Sequence, residues 1–351
     1  MQFKVCLWDE AHALKSEESK RSIELVPVLQ NMKRIVLISG TPVLSRPSEL
    51  FNLVKILRPD VFSNFKVFGD LYWDPQNRKL FLGGRPKVVK EYKGSTNANE
   101  LNYWLSKHLM IRRLKKDVLK ELPPKRRIKM TVEVSAKHKR DLERLMKDGD
   151  EFKKKIEQLE GKKMDFNQLL MNFNKSKYEE QLGNETLINP CVQLYKLSGL
   201  CKVDGGFKFW ETLLDAQIKF LLFTHHISVL DAYEEKMKKK RIKYVRIDGS
   251  TSEKQKHANV QAFQNQSDWK VALLSITAAY QGITLHAASV VVFAEYYWTP
   301  GIIIQAEDRV HRVGQVASSV TVYYLHWDKS IDKSLSNYIG KYPLLFCRGE
   351  R

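Results

Sequence analysis

The sequence predicts an α/β protein in which two units built on parallel sheets are separated by a helical segment. Strand-like apolar runs alternate with helix-like stretches near the start of the chain, and again over about a hundred residues of its second half. The region between them is dense in Lys and Glu, with apolar residues at near-helical spacing. A length of 351 residues with 43% hydrophobic content is sufficient for two domains with their own cores.

In the first unit, polar motifs follow two short apolar runs. Residues 3–8 form a β-prone run that ends at Asp9 and Glu10, and residues 34–38 form a second run that ends at S-G-T-P, residues 39–42. The stretch between the two runs, residues 17–32, is compatible with a helix. The ligand crevice of a parallel sheet lies beyond the carboxyl ends of its strands, so both motifs occupy positions where a nucleotide would bind.

The second unit repeats the alternation of strands and helices, which is typical of a doubly wound domain. The predicted helices cover residues 228–239 and 254–264, and a turn at Asp248, Gly249 and Ser250 follows the second strand. The predicted strands are residues 219–224, 244–247, 271–275, 290–294 and 320–325.

Residues 136–182 lie between these units and indicate helical hairpins that project from them. Their charges are compatible with a solvated helix face or with a role in gripping DNA. The predicted division is residues 1–63 for the first sheet unit, 64–215 for a helical insertion and linker, 216–340 for the second sheet unit and 341–351 for a tail.

The net charge of +19 is the strongest signal in the composition. A surplus this large favours a polyanionic partner, above all nucleic acid, although a lysine-rich proteome would give the same charge. No apolar run approaches the roughly 18 residues that span a bilayer, so we expect no membrane association. The four cysteines are scattered without C-x-x-C spacing and are typical of ordinary thiols in a reducing compartment.

The D-E-A-H box at residues 9–12 is the first candidate for chemistry. Hydrolysis of a nucleoside triphosphate needs Mg²⁺ and a positioned water. At the end of a strand, Asp9 can hold the water shell of the metal and Glu10 can orient the attacking water. His12 is placed to couple this site to a neighbouring segment. A lone D-E-x-H is a weak signal, because acidic pairs that only cap a turn are common after strands.

The segment Q-A-E-D-R-V-H-R, residues 305–312, is the second candidate. Arg309 and Arg312 are three residues apart, and they share a face if the segment is helical. Two guanidinium groups on one face are what an arginine finger requires, although a basic pair on a helix is more often a surface salt bridge. The order of D-E-A-H, S-G-T-P and this segment along the chain favours the finger.

This order resembles that of superfamily-two helicase-like ATPases of the Snf type, the DNA translocases that include chromatin remodellers. Residues 9–12, 39–42 and 305–312 match motifs II, III and VI of that family. Further matching segments are L-S-I-T-A-A-Y-Q-G-I-T-L at 274–285 (motif V), V-R-I-D-G-S-T-S at 245–252 (after motif IV), M-I-R-R-L-K-K-D-V-L at 110–119 and L-P-P-K at 122–125.

Three longer segments are similar in sequence to the annealing helicases, which are the SMARCA-like and zinc-finger RAN-binding fork remodellers. The segments that carry this similarity are S-G-T-P-V-L-S-R-P-S-E-L-F at 39–51, L-L-F-T-H-H at 221–226 and V-V-F-A-E-Y-Y-W-T-P-G at 291–301. The match is weakest over residues 136–190 and after 335. An RNA helicase is disfavoured, because RNA helicases do not carry the segment at 110–119.

The resemblance implies two RecA-like lobes, the first of them incomplete, which bind ATP with Mg²⁺ and move along double-stranded or forked DNA in the nucleus. Replication or repair proteins would be partners through other regions. The catalytic residues implied are Asp9 (also holding Mg²⁺ through water), Glu10, His12, Arg309 and Arg312. Nucleotide contacts are implied for Gln305, Gly282 and Thr41, and DNA contacts for Ser275, Thr277, Thr284, Ser250 and Thr251.

The family places its phosphate-binding loop before motif II, and here motif II begins at Asp9. We expect from this position that the chain is a fragment of a larger enzyme or an incomplete gene product, whose first sheet leaves an open edge and an uncovered apolar face. A genuine short product is the alternative. Two functions follow: a DNA-dependent ATPase that translocates on DNA, or a non-catalytic DNA-binding module derived from such a motor.

Overall fold

A computed structural model describes residues 3–40, 48–82, 85–92, 94–160, 163, 169, 190–279 and 282–341. The chain divides into two compact units, Met1–Lys120 and Glu121–Arg351. Each unit has its own hydrophobic core. Among the described residues, every helix is too short or too polar to cross a membrane.

The first unit begins with a two-stranded parallel sheet. Strands β1 (Val5–Trp8) and β2 (Arg34–Leu37) pair in parallel and are connected through helix α1 (Lys20–Gln30). One face of the strands, which includes Trp8 and Ile35, packs on a small core with Leu14 and Leu53. The other face stays exposed, as the sequence predicted; its exposed side chains are Val5 (53%), Leu7 (69%), Val36 (47%) and the flanking Ile38 (48%).

The rest of the first unit is held together by aromatic packing. Phe51, Phe68 and Trp73 form its centre, with ring centroids 5.2–6.1 Å apart. The elements are α2 (Glu49–Leu57), α3 (Phe65–Tyr72), the antiparallel pair β3 (Gln76–Leu82) and β4 (Arg85–Glu91), α4 (Ala98–His108) and α5 (Lys115–Val118). The hairpin lies inside the range predicted as helical; its sequence signal is the Gly-Gly pair at 83–84 between two apolar runs.

The second unit contains a six-stranded, all-parallel sheet in the order β5-β10-β9-β6-β8-β7. The central strands β6, β8 and β9 are buried along their whole length, as expected for strands covered on both faces. The predicted α/β fold with parallel sheets is therefore confirmed. The strands are β5 (Lys125–Thr131), β6 (Phe220–Thr224), β7 (Tyr244–Ile247), β8 (Val271–Ser275), β9 (Val290–Phe293) and β10 (Val320–His326).

Helices cover both faces of this sheet and create two apolar clusters. The predicted helices at 228–239 and 254–264 agree closely with α9 and α10. The helices are α6 (Ala136–Glu160), α7 (Pro190–Cys201), α8 (Val203–Asp215), α9 (Ile227–Lys239), α10 (Glu253–Asn265), α11 (Ile276–Ala279), α12 (Pro300–Glu307) and α13 (Asp332–Lys341). Of the predicted hairpins at 136–182, most residues after Glu160 lie outside the described ranges, as does the predicted tail after Lys341.

Strand β5 is the main difference from the predicted division of the chain. It lies within residues 64–215, the range predicted as insertion and linker, yet it forms an edge of the second sheet by pairing with β10. Its sequence, K-R-R-I-K-M-T, contains four charged residues and therefore lacks the apolar pattern of a buried strand. Charged side chains are usual on edge strands, and β5 lies at an edge. Helix α8 also packs on this sheet through Trp210, and the compact unit that contains both elements runs from Glu121.

Candidate nucleotide and DNA sites

The D-E-A-H segment forms a tight turn directly after β1. Glu10 adopts the left-handed conformation (φ 51°), which is uncommon for a residue with a side chain. Its N–H donates to Asp9 Oδ1 at 2.8 Å, and the Ala11 N–H donates to the Ile38 carbonyl at 2.9 Å. Asp9 is exposed and Glu10 is half-buried. The turn thus places two adjacent acidic residues at the carboxyl end of the sheet, with Asp9 exposed to solvent.

His12 connects this turn to the segment after β2. It is 3% exposed, with Nδ1 3.2 Å from Glu10 Oε2 and 3.3 Å from Ser39 Oγ. Burial lowers the pKa of His12, and the charge of Glu10 offsets only part of this effect. The geometry therefore brings Glu10, His12 and Ser39 together, as expected of a residue that couples two motifs. Thr41, the predicted nucleotide contact in the same segment, lies outside the described residues.

The two arginines of the second unit converge on one stretch of backbone. Arg309 donates from Nη1 to the Ile283 carbonyl at 2.9 Å and from Nε to the Gln305 carbonyl at 3.0 Å. Arg312 donates from Nη1 to Thr284 Oγ1 at 2.7 Å. Both guanidinium groups are partly buried and reach the loop that follows α11. The arrangement holds two positive charges side by side.

The condition for a shared helical face, that the segment with Arg309 and Arg312 be helical, is not met. Helix α12 ends at Glu307, and the Arg309 and Val310 N–H groups donate three residues back, to Ala306 and Glu307. The arginines therefore lie in tight turns and do not share a helical face. They meet because the Arg309 carbonyl accepts from the Leu285 N–H at 3.0 Å, which fastens the turn to the loop.

Gln305 and Gly282 flank this arrangement. Gln305 is 7% exposed on the last turn of α12, four residues before Arg309. Gly282 has φ 73°, a conformation that favours glycine, and it is exposed in the loop that leads to Ile283. A Cβ added at Gly282 would lie 4.0 Å from Lys256 Nζ. Lys256, on the first turns of α10, was missed by sequence reasoning; a basic residue soon after a strand-end turn is the signal that could have found it.

The hydroxyl residues predicted to contact DNA lie at the ends of two neighbouring strands. Ser275 ends β8, and its Oγ is 3.2 Å from Oγ1 of the exposed Thr277. After β7, the Ser250 hydroxyl donates to Asp248 Oδ1 at 2.6 Å, and Thr251 Oγ1 accepts from the Asp248 N–H at 3.0 Å. Because β7 and β8 pair in the sheet, these four residues lie along one edge of it. Thr284 stands apart from them, bound to Arg312.

A buried carboxylate that sequence reasoning missed ties the ends of β6 and β9. Glu295 is 1% exposed, and its Oε2 accepts the N–H groups of His225 and His226 at 2.8 and 2.9 Å. Its Oε1 lies 2.6 Å from His226 Nδ1. Burial lowers the pKa of His225 to about 4. The ring of Trp298 packs against His225 at 4.9 Å, so this tryptophan belongs to the same aromatic cluster.

Two family matches cover most of the chain that carries these sites. Residues 1–182 match the SNF2-related domain, and residues 207–314 match the helicase conserved C-terminal domain. The first match alone covers more than half of the chain. The chain belongs to the SNF2 family. The predicted resemblance to a Snf-type, helicase-like ATPase is therefore confirmed.

Relatives of this SNF2-family chain include the annealing helicases. It is 38% identical over 328 residues to the SWI/SNF-related matrix-associated actin-dependent regulator of chromatin subfamily A-like protein 1 of Xenopus laevis, covering 92% of this chain and 30% of that protein. It is 36% identical over 331 residues to the human DNA annealing helicase and endonuclease ZRANB3, covering 94% of this chain and 28% of that protein. The chain thus spans about a third of the length of these relatives.

Two solved structures are also similar. The Sulfolobus solfataricus SWI2/SNF2 ATPase core in complex with dsDNA has 19% identity and a TM-score of 0.46, over 99% of this chain and 68% of that one. The C-terminal part of the Fun30 ATPase domain has 21% identity and a TM-score of 0.47, over 62% of this chain and 89% of that one.

Proposed function

We propose that this chain forms the motor part of an ATP-dependent DNA translocase of the annealing-helicase type. The motor would couple ATP hydrolysis to movement on duplex or forked DNA and to rewinding of separated strands. The observation that carries the proposal is the convergence of Arg309 and Arg312 on Ile283 and Thr284, in a chain whose first unit holds the D-E-A-H turn. A protein with this function would work in the nucleus beside replication or repair proteins.

The residues of the two motifs fit the needs of phosphoryl transfer. ATP with Mg²⁺ supplies the phosphoryl group when it is bound. Asp9 fits the water shell of a hard cation, because its carboxylate is exposed just after a parallel strand. Glu10 would orient a water and accept its proton, with its carboxylate held 3.2 Å from His12 Nδ1. Arg309 and Arg312 would stabilise the negative charge that develops on the γ-phosphate.

The edge formed after β7 and β8 fits the backbone of DNA. Hydroxyl groups and main-chain N–H groups bind phosphate oxygens without reading the bases. Ser250, Thr251 and Thr277 offer such groups, and Lys256 adds a positive charge near Gly282. Ser275 is 3% exposed and would act through its contact with Thr277. We therefore assign DNA binding to this edge. Its affinity should be tolerant of sequence and steeply dependent on salt.

DNA-stimulated release of phosphate is the direct test, measured on the purified chain with duplex, forked and single-stranded DNA. We expect Arg312→Ala to lower the DNA-stimulated rate by about a thousandfold, the usual contribution of an arginine finger. Arg58→Ala is the matched control, because Arg58 is 39% exposed and its partner Asp60 is 62% exposed, outside both motifs and the DNA edge. A rate that Arg312→Ala and Arg58→Ala change equally would contradict the proposal.

A non-catalytic DNA-binding module is the second candidate. One sequence observation favours it: the net charge of +19 suits a polyanionic partner whether or not ATP is hydrolysed. This candidate predicts DNA binding that weakens steeply with salt, together with no ATP turnover by the purified chain. DNA-stimulated phosphate release that disappears in Arg312→Ala would exclude it.

A further inference from the structure

A fully buried carboxylate lies next to the arginine pair. Glu307 is 0% exposed and ends helix α12, two residues after Gln305 and two before Arg309. It accepts from Arg127 Nε and Nη2, each at 2.7 Å, and from Lys125 Nζ at 2.8 Å. The Tyr324 hydroxyl donates to its Oε1 at 2.7 Å. Four hydrogen bonds, three of them from cationic groups, thus fix this one side chain.

The donors come from two paired strands at the edge of the sheet. Lys125 and Arg127 are two residues apart on β5, so their side chains share a face. Lys129 is two residues after Arg127 on β5 and shares the same face. Tyr324 of β10 pairs with Lys129, so the Tyr324 side chain lies on that face as well. The carboxylate of Glu307 is the point at which the end of α12 is attached to both strands.

A second contact fastens the same segment on the other side of the arginine turn. The carbonyl of Pro123, just before β5, lies 2.8 Å from His311 Nε2. The chain from Pro123 to Arg127 therefore holds both Glu307 and His311, and Arg309 lies between these two attachments. Both attachments come from β5 and the residue two before it, a stretch that lies in the range predicted as insertion and linker.

The chemistry of Glu307 points to a role beyond stability. Burial raises the pKa of this carboxyl, but the hydrogen bond from Arg127 and the charges of Lys125 and Arg127 outweigh burial and lower the pKa to about 2. A buried ion pair stabilises a fold no better, in general, than apolar side chains of the same volume. The hydrogen bonds of the Glu307 cluster have fixed directions, which apolar packing does not provide. Such fixed directions are useful where a neighbouring turn, here the one with Arg309, must keep one geometry.

We infer that Glu307 is a positioning residue: its carboxylate, held by Lys125, Arg127 and Tyr324, keeps the segment from Gln305 to Arg312 in the one pose in which Arg309 and Arg312 meet Ile283 and Thr284. The consequence for catalysis rests on the proposed function, because the arginines act on the γ-phosphate only if the protein hydrolyses ATP. The pose itself does not depend on that function and is tested separately.

The test compares Glu307→Gln with Glu133→Gln, which removes the same charge from an 83% exposed glutamate beside the same strand. The readout is nuclear magnetic resonance of the arginine Nε–H groups. We expect hydrogen exchange at Arg309 Nε to accelerate at least about tenfold in Glu307→Gln, given the usual contribution of a charge-assisted hydrogen bond, and to stay unchanged in Glu133→Gln. Unchanged exchange in a folded Glu307→Gln protein would overturn the inference.

A triple variant separates positioning from stability if Glu307→Gln fails to fold. Replacing Glu307 and Arg127 by Leu and Lys125 by Met removes the charges of the cluster together and leaves the Tyr324 hydroxyl without this acceptor, so the thermal midpoint should fall less than in Glu307→Gln. We still expect the Arg309 Nε–H signal to shift and its exchange to accelerate. A stable triple variant with parent-like arginine signals would show that the carboxylate is dispensable for the pose.

Phosphate release gives the third readout. Where the parent protein hydrolyses ATP, Glu307→Gln should lower the turnover number with little change in DNA affinity, because the DNA edge lies after β7 and β8. A changed arginine signal in a chain without ATP turnover would support the positioning role and contradict the proposed function. An unchanged arginine signal in Glu307→Gln, in a protein that hydrolyses ATP normally, would contradict the positioning role and leave the proposed function standing.

Discussion

Replacing Lys202 by Met should weaken the second unit more than any surface substitution of the same kind. Lys202 Nζ donates to Asp332 Oδ2 at 2.8 Å and to the Leu325 carbonyl at 3.0 Å. The two side chains are 1% and 2% exposed, so neither charge reaches solvent. The contact connects the junction of α7 and α8 to the end of β10 and the start of α13.

The magnitude follows from this burial. Removing one partner of a buried ion pair costs about 3–5 kcal/mol, because the remaining charge stays buried without its counterion. Asp332 keeps one donor, the Trp327 N–H at 3.1 Å, so we expect the lower end, about 3 kcal/mol. For a unit of this size, that loss lowers the thermal midpoint by roughly 6–12 °C.

Urea unfolding monitored by tryptophan fluorescence measures this loss, since Trp210 is buried in the cluster that also contains Leu325. Lys208→Met is the control, because the Lys208–Glu133 pair is 72% and 83% exposed and should contribute less than about 1 kcal/mol. The double change Lys202→Met with Asp332→Leu should recover most of the stability. Equal unfolding midpoints for Lys202→Met and Lys208→Met would refute the reasoning.

Three further outcomes are expected. The pKa of Glu307 lies at about 2, below its ordinary 4.5, so its contribution of about 3 kcal/mol is present above pH 4.5 and is lost as the pH falls towards 2. Urea midpoints of the parent and Glu307→Gln should therefore converge between pH 7 and pH 2. Gly282→Ala should weaken DNA binding, measured by fluorescence anisotropy, because φ 73° costs a side chain about 1 kcal/mol; Gly340→Ala, which meets nothing within 4 Å and lies on α13, should not. Leu7→Lys should reduce binding of an apolar dye, because Leu7 is 69% exposed on the open face of the first sheet.

Local pattern was sufficient to predict the strands and turns that carry the motifs. Strands such as β6 and β8 are continuous apolar runs because both faces of the sheet are covered, and such runs are visible without any partner. Once the strands were located, the polar turns that follow them were predicted at the carboxyl ends of the strands. Asp9, Ser250 and Ser275 all lie where the strand pattern put them.

The edge strand β5 could not be found in this way. Four of its seven residues are Lys or Arg, and it pairs with a strand that begins almost two hundred residues later. A local pattern that is half charged fits a linker as well as an edge strand, and only the partner β10 decides between them. A related limit applies to the two arginines, for which the sequence left a helical segment as a condition: they lie in turns after Glu307 and bond to the distant Ile283 and Leu285.

The buried charges form the part of the site that sequence reasoning missed most completely. Glu295, Glu307 and Lys202 each look like surface residues, because charged side chains are rarely buried unless they are paired. Apart from Tyr324, which is 17 residues from Glu307, their side-chain partners lie 69 to 182 residues away along the chain. Each of the three side chains connects two elements of secondary structure, and the local sequence pattern of those elements does not determine their relative position. Of the three, Glu307 is the one next to the arginine pair in the chain. Its contacts with β5 and β10 therefore connect the edge of the sheet to the segment that carries Arg309 and Arg312.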